Sequence, residues 1–172
     1  TGIMALWLGI MRIGEKGGAI HILSKLFTPL FGKLFPEIPT NSKAHGAMIM
    51  NISANMLGLD NAATPLGLKA MKELQQENTD KNIASNAQIL FLVLNTSGLT
   101  LIPTSIIALR ATAMAENNIT GNPADVFLPI LIATYCSTIA GLIFVSILQK
   151  INLFQKTILM YLGSATIAIG IL

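Results

Sequence analysis

The chain has 172 residues, 52% hydrophobic and only 11% charged, with a net charge of +3 and a mean hydropathy of +0.65. A soluble domain carries about 25% charged residues, so too few are present here to coat a water-facing surface, and the bilayer is the expected solvent. The basic residues are scattered, with no basic patch interleaved by aromatics, which argues against a nucleic-acid partner; the single Cys136 allows no internal disulfide and no cysteine-based metal cluster, and reads as a small apolar residue inside a helix.

Thr1 opens directly into the apolar run TGIMALWLGIM, without the basic leader of a signal peptide. Thr1–Ile13 reads as a truncated span, with Arg12 snorkelling to the interface. Gly18–Phe35 follows, with Ile20, Leu23, Phe27, Leu30, Phe31 and Leu34 on a broad apolar side, and His21, Lys25 and Lys33 as its polar residues. Thr28-Pro29 is an expected bend, and the segment has the pattern of an interfacial amphipathic helix or helix pair.

Ala44–Leu59 is apolar yet carries Asn51, Ser53 and Asn55. At 1.5 Å per residue it reaches about 24 Å, short of a hydrocarbon core of roughly 30 Å. The chain then turns at Gly58–Thr64, and Pro65–Leu74 leads out to Lys69, Lys72 and Lys81. Lys16, Lys25, Lys33 and Lys43 precede the arm, so lysines flank it on both sides and both flanks read as cytoplasmic. An arm with both ends on one side is a re-entrant helical hairpin, with its tip expected at Gly58–Thr64.

Asn82–Leu109 is free of charge and long enough to cross, but NTSGLT at 95–100 and Pro103 interrupt it, which predicts a broken span. It leads outward to a loop, Ala115–Asp125, that carries Glu116 and Asp125 but no Lys or Arg. Val126–Gln149 is uncharged and returns inward to Lys150 and Lys156 as the most secure transmembrane helix. Arg110, near the outer end, departs from this charge scheme; it reads as a snorkelling side chain in preference to an anion ligand. Thr157–Leu172 looks like a further truncated span. With both ends apolar, a fragment of a longer membrane protein is expected.

Asn51 and Asn55 are four apart and share one helix face. They are either amides facing a substrate cavity or interhelical hydrogen-bonding groups; Asn61 and Thr64 at the expected tip favour the cavity, because broken helices place backbone ends and polar side chains at midplane sites. Asn95, Thr96, Ser97 and Thr100, with Pro103-Thr104-Ser105, form a second polar break. That break reads either as a half-site facing the first or as a proline kink stabilised by Ser and Thr. Asp60 is the candidate for coupling a cation or proton, although a turn or helix N-cap role is the simpler reading. His21 and His45 are isolated, so no metal site is expected. No GxSxG, P-loop, HExxH or CxxC occurs, no cofactor motif is present, and an enzyme is not expected. Glu73 and Glu77, among Lys69 and Lys72, read as a solvated face.

The runs MALWLGIMRIGEKGG, KLFPEIP, NISANMLGLDNAATPLGLKAM and NTSGLTLIPTSIIALRA occur in an order that resembles the spore maturation protein A family, in the wider group with a nucleoside recognition, or gate, domain. The resemblance covers roughly residues 1–151. It implies a multi-pass protein of the bacterial inner membrane, paired or fused with a spore maturation protein B-like half. A more distant similarity, to concentrative nucleoside transporters, implies a substrate-contacting hairpin with Asn61-Ala62-Ala63-Thr64-Pro65 at the tip, and a facing break at Asn95–Thr100. The glutamate those transporters carry at the tip has no counterpart here. The gate similarity extends to ferrous iron permeases as well, so the substrate stays open.

The expected protein is therefore an all-α integral membrane, polytopic helical bundle with a re-entrant hairpin, a broken span and an interfacial amphipathic helix. Residues 1–156 form the gate domain, and 157–172 begin a further transmembrane helix. Its expected function is that of a transporter-like gate module binding or passing a small polar solute through Asn51, Asn55, Asn61, Thr64, Asn95, Thr96, Ser97 and Thr100. The alternative is a structural component of an envelope or spore maturation complex, without transport. The bilayer, the B-like half and a second copy of the chain are the expected partners.

Overall fold

The computed structural model describes Gly17 and residues 19–171; for 19–24, Asp60, Asn61, Ala168, Gly170 and Ile171 the backbone alone is described. The expected first span, Thr1–Ile13 with Arg12, and the side chain of His21 lie outside this description. Among the described residues the fold is all-helical: α1 (Ala19–Leu34), α2 (Lys43–Met56), α3 (Asp60–Glu77), α4 (Asn86–Ser97), α5 (Thr104–Glu116), α6 (Phe127–Gln149) and α7 (Lys156–Ile171), with a 3-10 turn (Pro123–Val126) leading into α6.

α1 runs through Pro29 as one helix, the first of the two expected alternatives. Its apolar side does not lie free. Phe31 and Leu34, with Phe35 just beyond the helix, are buried in the main core. Phe31 stacks on Phe35 at 5.4 Å and meets the His45 ring edge-on at 6.5 Å. At its other flank Tyr161 of α7 donates to the Leu26 carbonyl at 2.6 Å.

α2 starts at a Ser42 N-cap, whose hydroxyl accepts from the His45 amide at 3.0 Å. It is buried nearly all round, so even His45, Asn51 and Ser53 are withdrawn from solvent. Its end is a Schellman motif: the Gly58 amide donates to Asn55 and the Leu59 amide to Ala54, each at 2.9 Å, with Gly58 at φ +64°. α3 begins at the next residue. The tip is therefore the three residues Leu57–Leu59, tighter than the expected Gly58–Thr64, and Asp60, Asn61, Thr64 and Pro65 fall within the first turns of α3. Pro65 is accommodated there, although it leaves the carbonyl of Asn61 without an i+4 amide.

At the far end of α3 the Lys81 ammonium donates to the carbonyls of Gln75, Gln76 and Asn78 at 2.7–3.0 Å, satisfying the last turn and meeting the negative end of the helix dipole. A capping box starts α4: Gln88 NH donates to Ser85 Oγ, and Ser85 NH to Gln88 Oε1. α4 stops at Gly98, φ +60°, and the chain resumes as α5 at Thr104. The interruption expected in this segment is thus present, and α5 continues to Glu116, which leaves Arg110 within the helix. α4 packs closely on α6, where a Cβ on Gly141 would come within 2.9 Å of Val93 Cγ1. Together Pro123–Gln149 make 27 residues, and among the described residues this is the one helix long and apolar enough to cross a membrane. Cys136 sits on its exposed side.

His45 is 2% exposed, and neither ring nitrogen has a partner. It lies at the lysine-flanked base of the hairpin, where burial pushes its pKa below the ordinary 6.5 and Glu77 pulls the other way. The unfolded chain therefore binds a proton near pH 6.5 more readily than the folded one, and stability falls as pH drops below that value. His45→Leu removes two unpaired buried nitrogens at similar volume. It is expected to hold or raise stability by about 1 kcal/mol and to flatten the loss between pH 7.5 and 5 in thermal unfolding in detergent.

Candidate functional site

The two breaks predicted from the sequence meet. The carbonyl of Met56, last in α2, accepts from the Leu101 and Ile102 amides at 2.8 and 3.0 Å. Thr104 Oγ1 lies 3.2 Å from the carbonyls of both Leu57 and Gly58, and Ser105 Oγ donates to Gly58 at 2.8 Å. Carbonyls that a helix end leaves open are thus filled by the residues that interrupt the second helix. A Cβ on Gly58 would stand 2.5 Å from the Ile102 carbonyl oxygen, so glycine is required both by its φ and by this approach.

Beside this junction a groove of about 360 Å³ opens between α2, α3 and α4, its polar part made by Asn51, Asn55, Thr64 and Asn95. Asn51, 2% exposed, forms its floor. Its Nδ2 donates to the Ala63 carbonyl at 2.8 Å and rests on Gly67, where a Cβ would come within 2.9 Å. Asn51 Oδ1 is buried and unpartnered. One turn on, Asn55 Nδ2 donates to Asn95 Oδ1 at 2.9 Å, and Asn95 Nδ2 donates to the Phe91 carbonyl at 2.9 Å. Ala63, Leu68, Met71, Phe91 and Leu92 supply apolar walls. Among the described residues none that lines the groove is charged.

The remaining predicted residues are placed elsewhere. Thr96 is exposed and not in the groove. Ser97 and Thr100 face α6: Thr138 Oγ1 lies 3.1 Å from Ser97 Oγ, and the Thr100 amide donates to Thr134 Oγ1 at 3.4 Å. They therefore tie the break to α6 and do not form a wall opposite Asn51. The side chains of Asp60 and Asn61 are outside the description. Gly67, Thr134 and Thr138 were not singled out in the sequence; the signal for Gly67 is a small residue on a polar helix packed against an amide-bearing one.

The nucleoside recognition (Gate) family matches residues 1–113. The chain belongs to that family. It is similar to spore maturation protein A of Bacillus subtilis (strain 168), with 43% identity over 141 residues, covering 82% of this chain and 69% of that protein. No solved structure matches it. The matched Gate residues contain α1 to α4 and most of α5, and so include the hairpin, the junction and every groove residue named above.

Proposed function

We propose that this protein is a transporter-like gate module that binds, or passes, a small polar solute at the groove between the α2–α3 hairpin and α4. The observation that carries the reading is the convergence of three asparagines on one groove, uncharged among the described residues, beside the point where the second break donates backbone hydrogen bonds to the end of α2. Broken helices with polar side chains at their breaks are how many carriers build a binding site within the bilayer. In this reading the hairpin is re-entrant with Lys43, Lys69, Lys72 and Lys81 towards the cytoplasm. α6 crosses the bacterial inner membrane and the chain is multi-pass. The solute meets Asn51, Asn55, Thr64 and Asn95, with Asn61 and Asp60 at the start of α3, while Ser97 and Thr100 brace the break.

The test is ligand stabilisation and liposome flux across nucleosides, dipeptides and metal ions, with Asn51→Leu and Asn55→Leu compared to wild type. Leucine is close to asparagine in shape, so Asn51→Leu exchanges one lost hydrogen bond for one relieved unpaired oxygen. Its stability is expected to change by no more than about 1 kcal/mol, whereas solute binding is lost. A solute that still shifts the unfolding temperature of both variants equally overturns the groove as the site.

A second reading has its own observation. Phe144, Ile147 and Leu148 of α6, Phe154 of the following loop, and Leu159 and Met160 of α7 are exposed apolar side chains. They suit lipid or a partner helix, such as a B-like half or a second copy, in a structural membrane assembly. Stable capture of such a partner, with a phenotype that follows this face and ignores Asn51 and Asn55, would favour it.

A further inference from the structure

The orientation of the groove's amides limits what it can hold. A main-chain carbonyl only accepts, so Ala63 forces Asn51 to present Nδ2 to it, and Phe91 forces the same of Asn95. Asn95 must then turn Oδ1 to Asn55, which fixes the third amide with Nδ2 towards Asn95. Flipping any of the three sets oxygen against oxygen. Each amide nitrogen thereby spends one of its two N–H bonds within the protein, and the groove atom left buried with no partner at all is an acceptor, Asn51 Oδ1. Asn55 Oδ1 is a second acceptor one turn away. No lysine or arginine lines the groove among the described residues, so nothing there would neutralise an anion brought out of water.

We infer that the groove takes a neutral or monocationic solute bearing N–H donors, which are received by Asn51 Oδ1 and Asn55 Oδ1, and that it rejects anions. The inference rests on the groove being a solute site, as proposed above.

Three probes of matched shape separate the outcomes: isobutylamine, isobutyramide and isobutyrate, titrated at millimolar concentration against the full chain in detergent or nanodiscs, with thermal unfolding as readout. The amine and the amide are expected to stabilise the protein and the carboxylate to have no effect. Leu68, 71% exposed and next to Lys69, lines the groove and is the position for a new charge. Leu68→Asp is expected to tighten the amine by roughly tenfold and to leave the amide unchanged, and Leu68→Lys to weaken the amine. Asn55→Leu is expected to weaken both. Protection by isobutyrate, enhanced in Leu68→Lys, would overturn the acceptor inference while keeping the groove as a site. Protection by none of these probes, nor by nucleosides or dipeptides, would remove both.

Discussion

Gly58→Val should be the most damaging single substitution in the hairpin, costing about 3–5 kcal/mol, and Gly98 supplies the control. Both glycines have φ near +60°, so both lose about 1–2 kcal/mol when given a side chain. They differ in space. A Cβ at Gly98 meets nothing closer than 3.8 Å, whereas at Gly58 it stands 2.5 Å from the Ile102 carbonyl oxygen and 3.0 Å from the Thr104 nitrogen. Those are backbone atoms and cannot rotate away, so the tip must lift from the break and surrender the bonds to Met56, Leu57 and Gly58. Gly98→Ala should therefore lower stability by only about 1–2 kcal/mol. Equal losses for Gly58→Ala and Gly98→Ala in thermal unfolding would show that the close approach has no energetic weight.

The second large effect is expected from Thr104→Val combined with Ser105→Ala. These changes remove the hydroxyls that reach Leu57 and Gly58, and leave carbonyls at the tip without donors. A fully buried unpaired carbonyl costs about 1–3 kcal/mol, and these two are part-buried, so together they should destabilise by about 2–4 kcal/mol. Thr104→Ser keeps the hydroxyl and should recover part of that loss when placed beside Ser105→Ala. Hydrogen exchange at the Leu101 and Ile102 amides reports the same event locally, since both donate across the junction to Met56 and their protection depends on a docked tip. Unchanged exchange in the double variant would mean that the backbone bonds to Met56 alone hold the junction.

Much of this architecture was legible because it rests on local rules. An uncharged segment too short to cross, ending at Gly58, gives a helix and its stop. Gly98 and Pro103 give the interruption of the next helix, and the four-residue spacing of Asn51 and Asn55 puts both on one face. The end of the tip was less legible. Asn61, Thr64 and Pro65 look like turn residues, but a Schellman motif reverses the chain in three residues, and α3 absorbs Pro65 in its second turn. Nor could composition tell which residues of NTSGLT face the hairpin. Successive residues turn by about 100° on a helix, so Ser97 lies about 200° from Asn95 and meets α6 instead. That choice depends on which neighbour packs on each side of α4; tertiary packing likewise decides the burial of α1 against α2 and the unpaired ring nitrogens of His45.

The contact between Asn51 and Gly67 sets a limit on how the hairpin can move. A slip of α3 along α2 by one turn, about 5.4 Å, would carry Gly67 away from Asn51, bring a side chain such as Ala63 or Met71 in its place and break the bond to the Ala63 carbonyl. Sliding of one arm past the other is therefore blocked by a single notch and its peg. A displacement that keeps this contact carries both arms together. The hairpin is in this sense one lever and not two sliding rods.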